Sequence, residues 1–202
     1  IETTNLLGFD DGVGAKAYGN TVIPTDTWTH VAVVVESGGC TFYVNGVTDG
    51  GGSSGILVGA NTHTTYIGKK YSGTFYLNGK LSQVCFFDYA LPATGTNSIT
   101  TLYNGGNPFN PMALASPPIA YYPLGNSAHM GSNYLTPNGA LQDYVFDFNP
   151  NNVHGYINLG ANTLTSDTYS LSLWFNSTGT STQVITEKQG NVPWPRSEER
   201  RV

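Results

Sequence analysis

The sequence has few charged residues, few cysteines and no long apolar run. Charged residues make up 10% of the 202 residues, against roughly a quarter in an average soluble domain. Disordered chains combine high charge with few aromatic residues, whereas aromatic residues here reach 12%. No apolar run approaches the roughly 18 residues of a membrane span, so none is predicted. The composition is typical of many short strands whose outer faces are polar but uncharged.

Positive charge is also scarce, and it is unevenly placed. The formal net charge is −5, and all three arginines, Arg196, Arg200 and Arg201, fall in the final seven residues. A phosphate backbone requires a basic surface, so no nucleic-acid partner is predicted. Because the composition changes abruptly near residue 191, we interpret residues 191–202 as a tail that is disordered or foreign to the fold.

The two cysteines, Cys40 and Cys85, are too few to define a redox compartment. Cys40 shares a strand face with Phe42, whereas Cys85 alternates with Phe86 and lies on the opposite face of its strand. A disulfide requires the two Cα atoms to lie within about 7 Å. We therefore predict two free thiols facing different layers.

Period-two alternation and turn residues predict an all-β chain. Residues 28–36 and 40–44 form a predicted antiparallel pair, and the second strand ends at Asn45-Gly46, a sequence that favours a type I′ turn. A second such turn is predicted at Asn78-Gly79, and a short helical turn over residues 97–103. Further strands are predicted at 64–68, 74–77, 80–88, 119–124, 141–148, 154–159, 169–176 and 183–187.

Residues 107–118 contain four prolines. Proline removes a backbone donor and restricts the residue before it, so this stretch is interpreted as a linker rather than as sheet interior. The strand pattern resumes after it.

The segments on either side of this linker resemble the two halves of a laminin-G-like domain of the concanavalin A-like lectin/glucanase superfamily, in reversed order. The resemblance implies an antiparallel jelly-roll β-sandwich. Residues 1–106 are similar to the C-terminal half and residues 119–190 to the N-terminal half. The motifs that carry the resemblance are WTHVAVVVESGGCTFYVNGV and TTYIGKKYSGTFYLNGKLSQVCFFDYAL in the first segment, and YVFDFNPNNVHGYINLG and YSLSLWFNSTGTSTQVITEKQG in the second.

The reversed order leaves two interpretations open. The chain is either a slice through a tandem array or one circularly permuted sandwich. A half domain would expose an apolar sheet face and unpaired edges. We therefore expect residues 1–190 to close into a single permuted sandwich.

Catalysis is not predicted. Glycosidases that resemble this superfamily carry closely spaced carboxylates on one strand, and a retaining mechanism needs two carboxyl groups about 5 Å apart. Asp143 and Asp147 share a strand face but lie ~13 Å apart at ~3.3 Å per residue. The histidines lack the spacing of a zinc site, and His30 matches a framework position of the family.

No metal site is carried over from the resemblance either. Calcium-binding relatives place oxygen ligands after the Gly of an Ile-Gly turn, where this chain has Lys69-Lys70, and ammonium groups repel a cation. A different calcium site at Asp10, Asp11 or Asp147 stays open, although Asp10-Asp11 followed by glycine is more simply a turn.

The candidate ligand-binding residues are aromatic side chains near the expected rim of the sandwich. A sugar face stacks on aromatic rings, and Tyr66, Tyr71, Tyr76 and Trp28 are available for this purpose. We predict a non-catalytic binding or adhesion module of an extracellular or virion surface protein, with a glycan or cell-surface ligand. The alternatives are a structural spacer in a repeat protein and, third, a glycoside hydrolase relative. The sequence leaves the oligomeric state open.

Overall fold

In the computed structural model, the protein is a mostly β chain of antiparallel sheets. The structure describes residues 5–10, 16–36, 38–52, 64–69, 76–107, 109–124, 146–148, 156–160, 168–178 and 184–188. The predicted tail at 191–202 and the candidate residues Tyr71 and Asp11 lie outside these ranges.

The described residues form twelve strands and one short α-helix, α1 (Ile99–Tyr103). None of the helices in this part of the chain is long and apolar enough to cross a membrane. The strands are β1 (Gly8–Asp10), β2 (Lys16–Tyr18), β3 (Thr29–Glu36), β4 (Gly39–Val44), β5 (Val47–Gly51), β6 (Thr65–Ile67), β7 (Gly79–Phe87), β8 (Ala120–Tyr122), β9 (Phe146–Phe148), β10 (Ile157–Asn158), β11 (Tyr169–Ser177) and β12 (Thr186–Lys188).

Seven of these strands form one large sheet in the order β5-β4-β3-β11-β7-β8, with β9 also paired to β7. A three-stranded sheet, β10-β6-β12, and the β1-β2 pair complete the set. The strand pairs are antiparallel. This mostly β, antiparallel architecture confirms the predicted all-β fold class.

Strand β11 occupies the centre of the large sheet. It pairs with β3 along one edge, from Tyr169 opposite Val35 to Phe175 opposite Thr29, and with β7 along the other. The segment after the prolines therefore shares a sheet with the segment before them. The permuted order of the two family halves stays a prediction.

The large sheet buries both of its faces. Its first face packs against the smaller sheets through residues such as Val35, Phe42 and Leu173, together with Ile67 of β6. Its second face is covered by the chain between β7 and β8, residues 88–107 and 109–118, which we call the cap. Leu102 of α1 is among the cap residues that pack on this face.

The cap includes the segment that the sequence suggested was a linker. This segment does connect the two parts of the chain, but it also buries Pro111 and Leu114 against the sheet. The predicted helical turn is confirmed as α1, which begins after Ser98, whose side chain accepts the backbone N–H of Thr101.

One of the two predicted Asn-Gly turns is confirmed and the other is wrong. Asn45 and Gly46 both have positive φ, at 50° and 78°, as a type I′ turn requires. Gly79, by contrast, is the first residue of β7. A Cβ atom there would lie 2.3 Å from the carbonyl oxygen of Asn176, so this glycine permits the close approach of β7 and β11.

Strand β7 contains an irregularity that simple alternation does not predict. Gln83 has a positive φ of 52°, and the register with β11 shifts between Ser172 and Trp174. As a result Leu81 and Val84 both face the first core, although they are three residues apart.

The two cysteines are free, as predicted. Cys40 belongs to the first core and Cys85 to the core under the cap. The large sheet therefore separates them.

Candidate functional site

The outer face of the small sheet carries a cluster of partly exposed aromatic side chains around a lysine. In β6, Thr65 and Ile67 are buried and Tyr66 between them is half-buried. Successive side chains of a strand point to opposite faces. Tyr66 therefore lies on the outer face of this sheet, away from the core that contains Ile67.

Two residues from other positions join Tyr66 there. The ring of Tyr156, which directly precedes β10, lies 5.9 Å from the ring of Tyr66 between centroids, at an interplanar angle of 67°. The Nζ atom of Lys69 lies 4.1 Å from the centre of the Tyr156 ring and 4.8 Å from that of Tyr66. We call Tyr66, Lys69 and Tyr156 the tyrosine–lysine surface.

The backbone explains why these side chains meet. Gly68 has a positive φ of 85°, its N–H donates to the Ile185 carbonyl, and its own carbonyl accepts the N–H of Leu77. The chain therefore turns after β6, and Lys69 comes to lie beside Tyr66. An isolated antiparallel bridge then places Tyr76 opposite Lys69, and such partners project to the same face.

The four predicted ligand-binding residues therefore do not all belong to this surface. Tyr66 is part of the tyrosine–lysine surface, Tyr76 is adjacent to it, and Tyr71 lies outside the described residues. Trp28 is exposed at 39% but directly precedes β3, so it lies beside the large sheet rather than on the small one.

Sequence reasoning missed Tyr156 and Lys69. Tyr156 is 90 positions from Tyr66, and only the pairing of β10 with β6 brings the two together. Lys69 was considered solely as a group that repels calcium. An aromatic residue beside a predicted strand was the available signal for Tyr156, but thirteen tyrosines share the chain.

The calcium candidates are not brought together. Asp10 lies in β1 opposite Lys16, and Asp147 lies in β9 opposite Lys80, in two separate sheets. Within the described part of the chain, no three or more His, Cys, Asp or Glu side chains group in a way that could hold a metal ion. The expectation of calcium at Asp10, Asp11 or Asp147 therefore gains no support.

Asp49 is the buried carboxylate of the described chain that has the most polar contacts. Its Oδ1 atom accepts the backbone N–H of Thr21 at 2.9 Å and also the Thr21 hydroxyl. Its Oδ2 atom faces Gly19 so closely that a Cβ at that glycine would lie 2.2 Å away. Asp49 therefore links β5 to Thr21 in the segment that precedes β3.

A histidine and a serine also meet under the cap. His30 Nε2 and Ser172 Oγ lie 2.9 Å apart, a spacing that a nucleophile and its base would have. Both residues are buried, at 1% and 2% exposure, and His30 Nδ1 has no hydrogen-bond partner where a triad places its carboxylate. Burial lowers the pKa of His30 to about 3. The pair is therefore part of the framework, as predicted for His30.

Residues 5–95 match a laminin-G family model that describes the concanavalin A-like lectin/glucanases superfamily. The resemblance to this superfamily is confirmed, and that of residues 119–190 to an N-terminal half stays a prediction. No curated protein and no solved structure matches the chain.

A concanavalin A-like domain supports the coarse assignment of a carbohydrate- or ligand-binding module. The matched range contains Tyr66, Lys69 and the β3–β4 hairpin, whereas Tyr156 and β11 lie beyond it. The tyrosine–lysine surface therefore combines residues from within and from outside the matched range.

Proposed function

We propose that the chain is a non-catalytic, glycan-binding module of an extracellular or virion surface protein, and that the tyrosine–lysine surface binds the glycan. The observation that carries this proposal is the Tyr66–Tyr156 pair on an outer sheet face. An exposed aromatic ring offers an apolar platform to the C–H face of a sugar, and Tyr156 is 40% exposed. The ammonium group of Lys69 beside both rings donates hydrogen bonds to hydroxyl or carboxylate oxygens.

The domain type supports the extracellular placement only in general terms, because laminin-G-like domains are typically extracellular. The low fraction of charged residues and the tyrosine–lysine surface agree with an extracellular placement. An adhesive role follows if the glycan belongs to a cell surface.

The non-catalytic part of the proposal rests on the carboxylates. Asp49 is held by Thr21 in the interior, and Glu36 ends β3 as an exposed residue. Two carboxyl groups converging on one sugar ring are the requirement of glycoside hydrolysis. We therefore expect no turnover of β-glucans such as laminarin. Turnover that a single Asp or Glu substitution abolishes would establish a hydrolase instead.

A structural spacer is favoured by one observation. Lys69 lies over both tyrosine rings, and cation–π contacts at exposed sites stabilise a surface by roughly 0.5–1 kcal/mol without any ligand. In a spacer, the tyrosine–lysine surface would serve only the stability of the small sheet.

A glycan array separates the two functions. Wild type, Tyr156→Ala and Tyr66→Ala are compared with Tyr18→Ala, a matched control because Tyr18 of β2 is 41% exposed. We expect wild type and Tyr18→Ala to bind the same glycans, and both surface variants to bind at least tenfold more weakly. Equal binding by all four proteins would place the site elsewhere, and no binding by wild type would favour the spacer.

Calcium is the second variable of this experiment. Since Lys69 places an ammonium group, which repels cations, in the tyrosine–lysine surface, we expect binding to be the same with calcium and with a chelator. Loss of binding in the chelator would indicate a calcium site outside this surface.

A further inference from the structure

A small cavity lies between the second face of the large sheet and the cap. On the sheet side it is lined by His30, Gln83, Ser172 and Trp174, and on the cap side by Phe109 and Pro111. The space open to the centre of a water molecule measures about 10 Å³. This volume is close to the minimum that one water molecule needs, and it is too small for a sugar or a cofactor.

Two polar atoms of the lining residues have no hydrogen-bond partner in the protein. They are Nδ1 of His30 and Nε1 of Trp174, and both atoms are buried. His30 as a whole is 1% exposed. Buried polar atoms are nearly always paired, either with protein or with ordered water, because desolvation without a partner is costly.

The chemistry of these atoms limits what can pair with them. An indole N–H only donates, so its partner must accept. The His30 ring is neutral, and its Nε2 atom is already engaged with Ser172. Depending on the tautomer, Nδ1 either accepts or donates, so its partner must be able to do both.

Three classes of occupant fail this requirement. A metal ion cannot bind an indole N–H, and a neutral histidine gives an anion no positive charge to pair with. An apolar molecule leaves both nitrogens unpaired. A neutral molecule of one heavy atom that both donates and accepts satisfies all the conditions.

We propose that the cavity is a binding site for one ordered water molecule, which accepts the indole N–H of Trp174 and completes the hydrogen bonding of His30 Nδ1. Gln83 lines the same cavity and offers a third polar partner, and buried water typically makes about three hydrogen bonds. The water lies behind an aromatic group in which Tyr103 of α1 stacks on Trp174, with centroids 6.0 Å apart and an interplanar angle of 27°. Its partners lie on β11, β3 and β7, so the water joins three strands of the large sheet beneath the cap.

Nuclear Overhauser measurements between protein and solvent test this site on the intact chain. A long-held water gives the indole proton NOE and ROE cross-peaks of opposite sign, whereas a short-lived surface water does not. We expect opposite signs for the Trp174 indole and not for the indole of Trp28, which is exposed. Absence of a long-held water at the Trp174 indole in wild type would overturn the proposal.

Substitutions make the assignment specific. Trp174→Phe removes the indole proton and so assigns the cross-peak to Trp174, whereas Tyr103→Phe keeps the ring stack and should leave the cross-peak unchanged. Ser172→Ala removes a hydroxyl that lines the cavity, so persistence of the signal there shows that it does not arise by relay from that hydroxyl. Loss of the signal in Ser172→Ala or in Tyr103→Phe would assign it to relay from the hydroxyl removed and would overturn the proposal. If Trp174→Phe does not fold, the spectra of the wild type and of Ser172→Ala still test whether a long-held water lies at the Trp174 indole.

Discussion

Strand β11 presents two different faces to the two layers that it separates. Toward the first core it points Leu171, Leu173 and Phe175, and the layer it meets is apolar. Toward the cap it points Ser172 and Trp174, which meet His30 and the cavity. Both layers bury apolar surface, but the layer under the cap also contains polar contacts that each need a partner.

This difference has consequences for stability and for its dependence on conditions. Apolar burial is non-directional and insensitive to pH. Buried polar groups are sensitive to the loss of any single partner, and a buried titratable group such as His30 also makes stability depend on pH. The first face should therefore contribute most of the free energy of unfolding, and the second face should determine how that free energy depends on pH.

The largest effect is expected from removing β11 itself. A chain of residues 1–118 keeps β3 and β7 but loses the strand that pairs with both. We expect it to be unfolded or aggregated by circular dichroism and gel filtration, while residues 1–190 form a folded monomer. A stable monomer of residues 1–118 would show that the two segments are independent units and would contradict the single sandwich.

The next largest effect should come from the first face. Leu173 is 2% exposed, and we expect Leu173→Ala to lower the free energy of unfolding by about 2–5 kcal/mol, as for other buried leucines. Urea denaturation measures this change. Val47→Ala is the matched control, since Val47 is 69% exposed and its truncation should change stability by less than about 0.5 kcal/mol. Equal effects of the two substitutions would contradict the assignment of the core.

The second face should respond to pH. The pKa of His30 is lowered by burial to about 3, from 6.5 in the unfolded chain. Below pH 6.5 the unfolded chain binds a proton that the folded chain does not, so stability falls as the pH drops from about 6.5 to about 3. At pH 5 the loss attributable to His30 is about 2 kcal/mol.

Comparison with His30→Gln isolates this contribution from those of the other titrating groups. Urea midpoints are measured for both proteins between pH 7 and pH 5. We expect the wild type to lose more stability than the variant over this range. Parallel pH profiles would show that His30 does not account for acid sensitivity.

How far the sequence predicts this molecule depends on whether a feature is local. Alternation in 40–44 and the Asn45-Gly46 turn are local, and both are confirmed. The prediction that the two thiols face different layers also uses local alternation, and it is confirmed. The Asn78-Gly79 turn is wrong because a local signal was overridden by a distant contact, since Gly79 is needed where β11 approaches.

The candidate site could be predicted only in part, because it is assembled by strand pairing over long sequence separations. Tyr66 was identified from its position in a strand near the rim. Its neighbour Tyr156 required the register of β10 against β6, which no periodicity encodes. The polar contacts of His30 likewise depend on the pairing of β11 with β3, opposite Trp174.

The smallest effect expected is a difference in local opening between the two faces, for which the cysteines are natural reporters. Cys40 lies in the first core and Cys85 under the cap, and burial raises the pKa of both thiols. Neither should react with Ellman's reagent in the native state except through opening, and both should react in denaturant.

Because the cap buries fewer apolar residues against the sheet than the first core does, and polar groups lie among them, we expect the cap to open locally before the whole chain unfolds. Labelling rates of the single-thiol proteins Cys40→Ala and Cys85→Ala, each divided by its rate in the unfolded state, give the two opening equilibria. The thiol of Cys85 should react about tenfold faster than that of Cys40, a difference of about 1.4 kcal/mol in opening free energy. Lowering the pH from 7 to 5 should widen this difference if His30 becomes protonated when the cap opens. Faster labelling of Cys40 would reverse the comparison and show that the apolar layer is the weaker of the two.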